Sequence, residues 1–285
     1  MNAVGSLLRS AARRVPDADA RLLLAHALGV PVSRLLTLDS PDPAALDTFD
    51  DLLTRREAGV PVQYLTGTAP FRHVEVAVGP GVFIPRPETE VMTGWALQRL
   101  AEADGADDGP PVVVELCAGS GAISFAIAAE HPGARQYAVE LSEEALGYAA
   151  RNLAGTGVDL RHGDMATAFP ELDGTVDLVI ANPPYVPLEA YDGIPAEVRE
   201  HEPGLALFAG ADGLDAIRVL AGVAARLLRP GGWVCVEHAE VQHDSAPAVF
   251  VAHGGFDRVR DRTDYNDRPR FVTARRVASV AEWPT

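Results

Sequence analysis

From Val112 onwards, short apolar runs alternate with longer segments of helical periodicity, and this alternation restricts the possible folds more than any other feature. Strands that alternate with helices form a parallel, doubly wound sheet. The predicted strands are 112–116, 136–140, 157–161, 176–181 and 232–237, and the predicted helices are 121–131, 143–153, 213–228 and 243–253. Two further segments, 256–260 and 270–274, are predicted to form a terminal antiparallel hairpin.

The segment before this sheet is predicted to form a small helical bundle. One helix begins at Asp17 and ends at Gly29, and another runs from Asp47 to Arg56. Several short helices in so short a stretch are more typical of a docking module than of a catalytic one. We therefore predict a docking domain over residues 1–70.

Residues 71–85 are predicted to be a hairpin linker. The alternating run 71–78, the turn at 79–81 and the apolar run 82–84 fit two short strands. A helix is then predicted from Pro87 to about residue 103, because proline and acidic residues are favourable in a first helical turn. An exposed loop is predicted at 104–111, and the second domain covers residues 86–285.

Composition excludes several classes of protein. The chain has 285 residues, a formal charge of −16 and two cysteines, too few for a disulfide framework or a zinc site, so no metal is predicted. No apolar run is long enough to span a bilayer, and the N-terminus has no secretory pattern. A cytoplasmic protein that does not bind membranes is expected. The acidic charge disfavours nucleic acid and suits a basic protein partner.

Small residues follow the first predicted strand of the sheet, in the order Cys117-Ala118-Gly119-Ser120-Gly121. They allow a ligand to approach the backbone closely, although the pattern is neither a dinucleotide fingerprint nor a P-loop. Glu140 ends the second strand about 20 residues later, where a carboxylate can accept both hydroxyls of a ribose. Each of these features has an alternative interpretation: the glycine segment could be a simple tight turn, and Glu140 could be an acid at the N-terminus of the next helix.

The third strand leads to Asp164 and Met165. The carboxylate can accept an adenine amino group and the thioether can cover the ring, although a solvated loop acid is the alternative. The order of the glycine turn and the two acids predicts adenosine across the first three strands of the sheet.

Asn182-Pro183-Pro184-Tyr185 follows the fourth predicted strand. The asparagine oxygen can accept one N–H of a planar carboxamide or aryl amine, and a backbone carbonyl beside the prolines can accept the other. Proline has no competing N–H, the residue before it is extended, and Tyr185 offers a flat apolar face. An ordinary turn is the alternative. Next to adenosine, this segment predicts methyl transfer from S-adenosylmethionine to nitrogen, with Asn182 in contact with both ligands.

At this point the chain resembles the HemK/PrmC protein-(glutamine-N5) methyltransferases, which act on peptide chain release factors. The similar segments span most of the chain: 17–29, Pro61-Val62-Gln63-Tyr64-Leu65-Thr66-Gly67, Phe83-Ile84-Pro85-Arg86-Pro87-Glu88-Thr89-Glu90, the Gly119/Gly121 turn, 182–185, 202–203, 206–207 and 212–214. The resemblance implies a helical domain that helps to hold the release factor and a Rossmann-like class I methyltransferase domain with a seven-stranded sheet. It also implies that the substrate is the glutamine of a Gly-Gly-Gln motif.

The chain departs from the family pattern at three places. Glu115 and Glu140 stand where aspartate is usual, and Cys117-Ala118 replaces a commoner small or hydroxyl pair. Charge or small size is kept, so these changes bear on cofactor affinity more than on activity. Arg86 and Glu88 lie in a segment that could close over the cofactor, or could serve only as an ion pair and a helix cap.

The predicted mechanism depends on orientation, because an amide nitrogen is a poor nucleophile. Asn182 Oδ1 and the Pro183 carbonyl each accept one N–H, Tyr185 packs against the glutamine, and no dedicated base is needed.

Three other functions remain open: glutamine methylation of a ribosomal protein, adenine-N6 methylation of DNA, and non-catalytic cofactor binding. The missing basic stripe argues against DNA.

Overall fold

The computed structural model describes residues 3–38, 42–103 and 109–278. The first part is the predicted bundle, with helices α1 (Ala3–Ala11), α2 (Asp17–Leu28), α3 (Pro43–Glu57) and α4 (Val62–Thr66). Their apolar faces enclose a separate core that includes Leu23, Leu24 and Phe49. Helix α3 begins earlier than predicted, because the Asp42 carboxylate accepts the Ala44 N–H and caps its first turn.

The linker hairpin is displaced from its predicted position. Strands β1 (Thr68–Phe71) and β2 (Val74–Ala77) pair antiparallel, and the turn falls at Arg72, which adopts a φ of 50°. The run predicted as one strand is therefore divided by a tight turn. The prediction of a strand at 82–84 was wrong: Val82 and Ile84 are buried without forming a strand, and the Val82 carbonyl accepts the Tyr64 hydroxyl.

The second part is built on the predicted sheet. Helix α5 (Pro87–Ala103) precedes it, as predicted from Pro87. The strands are β3 (Val112–Leu116), β4 (Arg135–Glu140), β5 (Asp159–His162), β6 (Val176–Ala181), β7 (Leu228–Glu237), β8 (Phe256–Thr263) and β9 (Pro269–Arg276). Their order is β5-β4-β3-β6-β7-β9-β8, with β7–β9 and β8–β9 antiparallel and the other pairs parallel. The predicted seven-stranded sheet with a terminal antiparallel hairpin is confirmed.

Helices cover both faces of this sheet. They are α5, α6 (Ala122–Glu130), α7 (Glu143–Asn152), α9 (Asp215–Leu227) and α10 (Ser245–His253), whereas the short helix α8 (Ala196–His201) lies in the segment between β6 and α9. Successive strand residues point to opposite faces, so Val112 and Val114 pack with α9 and α10, whereas Val113 packs with α5 and α6. No helix in the described residues is both long and apolar enough to cross a membrane.

The strand order reverses between β3 and β6, which is the topological switch point of the sheet. Ligands of such folds bind beyond the carboxyl ends of the strands at this point. The register pairs Leu116 with both Val139 and Ala181, and Ala181 with Val236. The residues that directly follow these four therefore lie side by side along one edge: Cys117, Glu140, Asn182 and Glu237.

Two glycine substitutions are expected to have opposite effects on stability. A Cβ on Gly232 would lie 2.9 Å from the Val176 carbonyl oxygen and 3.0 Å from that of Arg229, so Gly232→Ala is expected to destabilise the fold by about 2 kcal/mol. Gly222 is exposed in the interior of α9 with open space around it, so Gly222→Ala is expected to stabilise by about 0.5–1 kcal/mol. Urea unfolding of both variants measures these changes, and equal shifts would contradict the packing argument.

Residues 104–108 of the predicted loop and parts of both predicted domains lie outside the described residues. The division of the chain into a domain at 1–70, a linker at 71–85 and a domain at 86–285 stays a prediction. The hairpin at 68–77 overlaps the first of these boundaries.

Candidate active site

A cavity of about 490 Å³ opens at the switch point of the sheet. It is lined by most of the residues predicted for the site: Cys117, Ala118, Gly119, Ser120, Glu140, Asp164, Met165, Asn182, Pro184 and Tyr185. Gly121 and Pro183 do not line it. Segments from four different strand ends thus meet around one space, although the first and the last of them, Cys117 and Asn182, are more than 60 residues apart in the chain.

The glycine turn takes its shape from left-handed backbone conformations. Cys117, Gly119 and Gly121 have φ values of 58°, 56° and 75°, and the Gly121 N–H donates to the Ala118 carbonyl at 2.7 Å. A Cβ on Gly121 would lie 3.1 Å from the Leu153 side chain. A Cβ on Gly119 would have no surrounding atom within 4 Å. Gly121 therefore lets the turn pack on α7, and Gly119 leaves space on the cavity side.

Glu140 is buried and holds two backbone segments of the cavity wall. Its Oε2 accepts the Gly119 N–H at 2.7 Å, and its Oε1 accepts the Ser142 N–H at 2.7 Å. A carboxylate offers about four acceptor positions, so capacity remains for hydroxyl groups of a ligand. The alternative interpretation made Glu140 an acid at the N-terminus of the next helix, α7. Glu140 does lie near this helix start, but the side chain that caps α7 is that of Ser142.

Asp164 and Met165, which follow β5, also line the cavity. One oxygen of the exposed Asp164 carboxylate accepts the Ala166 N–H at 2.8 Å, which leaves the other available. Met165 Sδ lies 3.6 Å from Cys117 Sγ. Burial raises the pKa of the Cys117 thiol, which keeps it protonated and suits a space-filling role.

Glu115 is a wall residue whose contacts were not predicted. Its Oε2 accepts the Ser124 N–H at 2.9 Å and the Ser124 hydroxyl. Burial is the main cause that raises the pKa of Glu115 to about 8, while the bonds from Ser124 lower it. The carboxyl group is fixed by α6 and faces the same cavity as the glycine turn.

Asn182 and Tyr185 are joined by a network of hydrogen bonds behind the cavity. Asn182 Nδ2 donates to Thr89 Oγ1 at 3.2 Å, and the Thr89 hydroxyl donates to Glu237 Oε2 at 2.6 Å. The Tyr185 hydroxyl donates to Glu237 Oε1 at 3.0 Å. Thr89 and Glu237 were both missed from sequence. An acid at the end of an apolar strand was the available signal for Glu237. Thr89 lies in a segment that carried the family resemblance, but no role was predicted for its side chain.

The outer wall of the cavity is apolar and comes from the segment between β6 and α9. This wall includes Ile194, Val198, Leu205 and Leu207, and sequence reasoning had not identified it. A planar group that enters between this wall and Asn182 would be shielded from water on one side.

The Arg86 side chain anchors the outer wall to the start of α5. Its guanidinium pairs with the buried Glu202 carboxylate and lies 4.9 Å from the centre of the Phe83 ring. Glu202 also accepts the Ile84 N–H at 3.4 Å. Arg86 therefore combines an ion pair with a place in the cavity lining, while Glu88 lies in the first turn of α5 outside the lining.

The helical bundle contacts this outer wall as well. Arg56 of α3 pairs with Asp19 at 2.7 Å within the bundle and with Glu197 of α8 at 2.8 Å. A partner that binds the bundle would therefore lie near the segment that encloses the cavity.

Comparison with known proteins identifies relatives along nearly the whole chain. Residues 2–67 match the PrmC N-terminal domain, and residues 113–201 match a methyltransferase domain. The release factor glutamine methyltransferase of Streptomyces coelicolor is 50% identical over 262 residues, which cover 92% of each chain. That of Mycolicibacterium smegmatis is 45% identical over 280 residues, which cover 98% of this chain and 97% of the relative.

A further relative is named for a different substrate. The 4-amino-L-phenylalanine/4-methylamino-L-phenylalanine methyltransferase of Streptomyces pristinaespiralis is 43% identical over 251 residues, which cover 88% of this chain and 85% of the relative. Similarity at this level therefore includes methyltransferases that act on a protein glutamine and on an amino-substituted phenylalanine.

Proposed function

This chain belongs to the family of release factor glutamine methyltransferases, and on that premise we propose that it methylates the N5 nitrogen of glutamine in the Gly-Gly-Gln motif of peptide chain release factors. The methyl donor is S-adenosylmethionine. The observation that carries the proposal is the Asn182 side chain in the cavity lining: its NH₂ group is bonded to Thr89, so its oxygen is left for a substrate N–H.

The residues of the inner cavity suit an adenosine-containing methyl donor. Glu140 has acceptor capacity for ribose hydroxyls, Asp164 has one oxygen without a backbone bond, and Gly119 leaves room beside the backbone. Met165 covers the adenine ring, and Cys117, Ala118 and Ser120 complete the wall of small residues. When bound, the donor would supply an electrophilic methyl group on a sulfonium, and the S–CH₃ bond that breaks would leave a neutral thioether, S-adenosylhomocysteine.

The tetrapeptide orients the nucleophile. Asn182 Oδ1 accepts one N–H of the glutamine carboxamide, which aims its nitrogen at the methyl group. The Pro183 carbonyl is proposed as the acceptor of the second N–H, although Pro183 is buried and does not line the cavity. These acceptors also stabilise the positive charge that develops on nitrogen. Pro184 and Tyr185 bound the glutamine from the side, and the methylated amide loses its proton to solvent without a protein base.

The helical bundle at residues 1–70 serves as the docking domain for the release factor. Its link to the outer wall through Arg56 and Glu197 supports this role, because a docked protein would lie beside the cavity entrance. The formal charge of −16 favours a basic protein surface over nucleic acid. Encounter with release factors requires a cytoplasmic location.

Mass mapping of methylated products tests the proposal. The purified protein is incubated with labelled S-adenosylmethionine and a release factor, and the result expected is a single methyl group on the glutamine of Gly-Gly-Gln, lost when that glutamine is replaced with alanine. Ribosomal proteins, duplex DNA and free 4-amino-L-phenylalanine serve as competing substrates. Methylation of one of these, with an unmodified release factor, would overturn the proposal.

A further inference from the structure

We propose that Glu237 is a positioning residue that, through Thr89, fixes which end of the Asn182 carboxamide faces the substrate. This inference rests on the proposed function, since it concerns the same amide-binding site. A carboxamide has nearly the same shape after a 180° flip, but the flip exchanges an acceptor for a donor. A site that must accept N–H groups therefore needs something that excludes the flipped orientation.

The orientation follows from the chemistry of the three groups. An ionised carboxylate has acceptor positions only, so the Thr89 hydroxyl must donate its single proton to Glu237. The threonine oxygen then has only lone pairs to offer, and the Asn182 group that faces it must be the NH₂ donor. The Asn182 oxygen is consequently directed away from Thr89, where a substrate N–H can reach it.

The second oxygen of Glu237 fixes Tyr185 in the same way. Its Oε1 accepts the Tyr185 hydroxyl, which sets the position of the ring beside Asn182. Both side chains of the tetrapeptide that were predicted to contact the glutamine are thus held by one carboxylate. Glu237 reaches this place because it directly follows Val236, the register partner of Ala181.

Stability alone does not explain this carboxylate. Glu237 is 1% exposed, and within the described residues it forms no ion pair at 4 Å or less. Burying a carboxylate with two hydroxyl partners costs free energy that an apolar side chain would not. The cost is understandable when the carboxylate determines the polarity of a chain of hydrogen bonds that ends at the substrate.

Kinetics of variants in this chain of hydrogen bonds provide the test. Glu237→Gln and Thr89→Val are each expected to lower kcat for release factor methylation by about 100-fold, since a misoriented group near the reacting atoms costs this much. The Kd of S-adenosylmethionine is expected to stay within about threefold, because neither side chain belongs to the proposed adenosine contacts. Thr89→Ser keeps the hydroxyl and is expected to recover most of the lost kcat.

A matched control is available one turn further along α5. Thr93 is equally buried, but within the described part of the chain its hydroxyl donates only to the Thr89 carbonyl, at 2.9 Å. Thr93→Val removes the same atoms and is expected to leave kcat unchanged even if it lowers the unfolding temperature. Equal losses of kcat in Thr89→Val and Thr93→Val would overturn the proposal, because they would indicate a general packing effect.

The pH dependence of kcat gives an independent readout. Burial raises the pKa of Glu237 to about 7, and the negative charge of Glu88 also raises it. The hydrogen bonds from Thr89 and Tyr185 and the positive charge of Arg270 lower this pKa. The carboxylate is ionised above this pKa, so kcat is expected to decrease as pH falls below about 7, when a protonated Glu237 can donate and release Thr89. Glu237→Gln is expected to lack this decrease.

The outcomes separate the two proposals. A wild-type protein that leaves release factor unmethylated would overturn the proposed function. An active wild type, with folded Glu237→Gln and Thr89→Val variants that keep its kcat, would overturn the positioning role alone. If Glu237→Gln fails to fold, the comparison of Thr89→Val with Thr89→Ser decides, since both variants keep Glu237.

Discussion

Replacing Asn182 with alanine is expected to lower kcat for methyl transfer by about 100- to 1000-fold, the range for loss of a hydrogen-bonding group that stabilises charge in the transition state. The side chain is the acceptor for one N–H of the glutamine carboxamide in the proposed mechanism. Without it, the nitrogen is no longer aimed at the methyl group. Among the residues that the structure describes, the carboxamide bonds only to Thr89, so its loss leaves the glycine turn and Glu140 undisturbed.

Parallel measurements distinguish this effect from a loss of cofactor binding. Single-turnover methylation of release factor gives the rate, and titration calorimetry with S-adenosylmethionine gives the affinity, which is expected to stay within about threefold. Asn266→Ala removes the same group from an exposed turn of the β8–β9 hairpin and serves as the control. Retained turnover in Asn182→Ala would contradict the assignment of this residue.

Replacing Glu140 with alanine is expected to weaken S-adenosylmethionine binding by about 100-fold or more. Bonds from hydroxyl groups to a carboxylate contribute about 1.5–3 kcal/mol each, and each 1.4 kcal/mol corresponds to a tenfold change in Kd. The same substitution frees the N–H groups of Gly119 and Ser142, so the cavity wall also loses its anchor. At saturating cofactor, kcat is expected to change much less than Kd.

Glu143→Ala is the matched control for this substitution. Glu143 is exposed in the first turn of α7, three residues after Glu140, so its replacement removes the same charge from a nearby position that has no hydrogen bond to the glycine turn. An equal loss of affinity in both variants would indicate that net charge, rather than ribose recognition, governs binding. An unchanged Kd in Glu140→Ala would exclude the proposed ribose contact.

Local sequence was sufficient for the parts of the site that follow strand ends. Small residues after β3, an acid at the end of β4 and the tetrapeptide after β6 could be placed together because parallel strands bring their carboxyl ends to one edge. The same reasoning fails where a local pattern allows two structures. The alternating run at 71–78 fits either one strand or a tight hairpin. In the folded chain Arg72 adopts a left-handed conformation, which makes the turn of a hairpin.

The sequence by itself determined the order of strands and helices, the glycine turn, Glu140 and the Asn182 segment, because each of these depends on residues that are close along the chain. Only the tertiary structure decided that Thr89 and Glu237 lie behind Asn182, 93 and 55 residues away in the sequence. Such contacts arise from strand register and from the packing of α5 on the sheet, which no short pattern encodes. For the same reason, the apolar outer wall of the cavity became visible only in the folded chain.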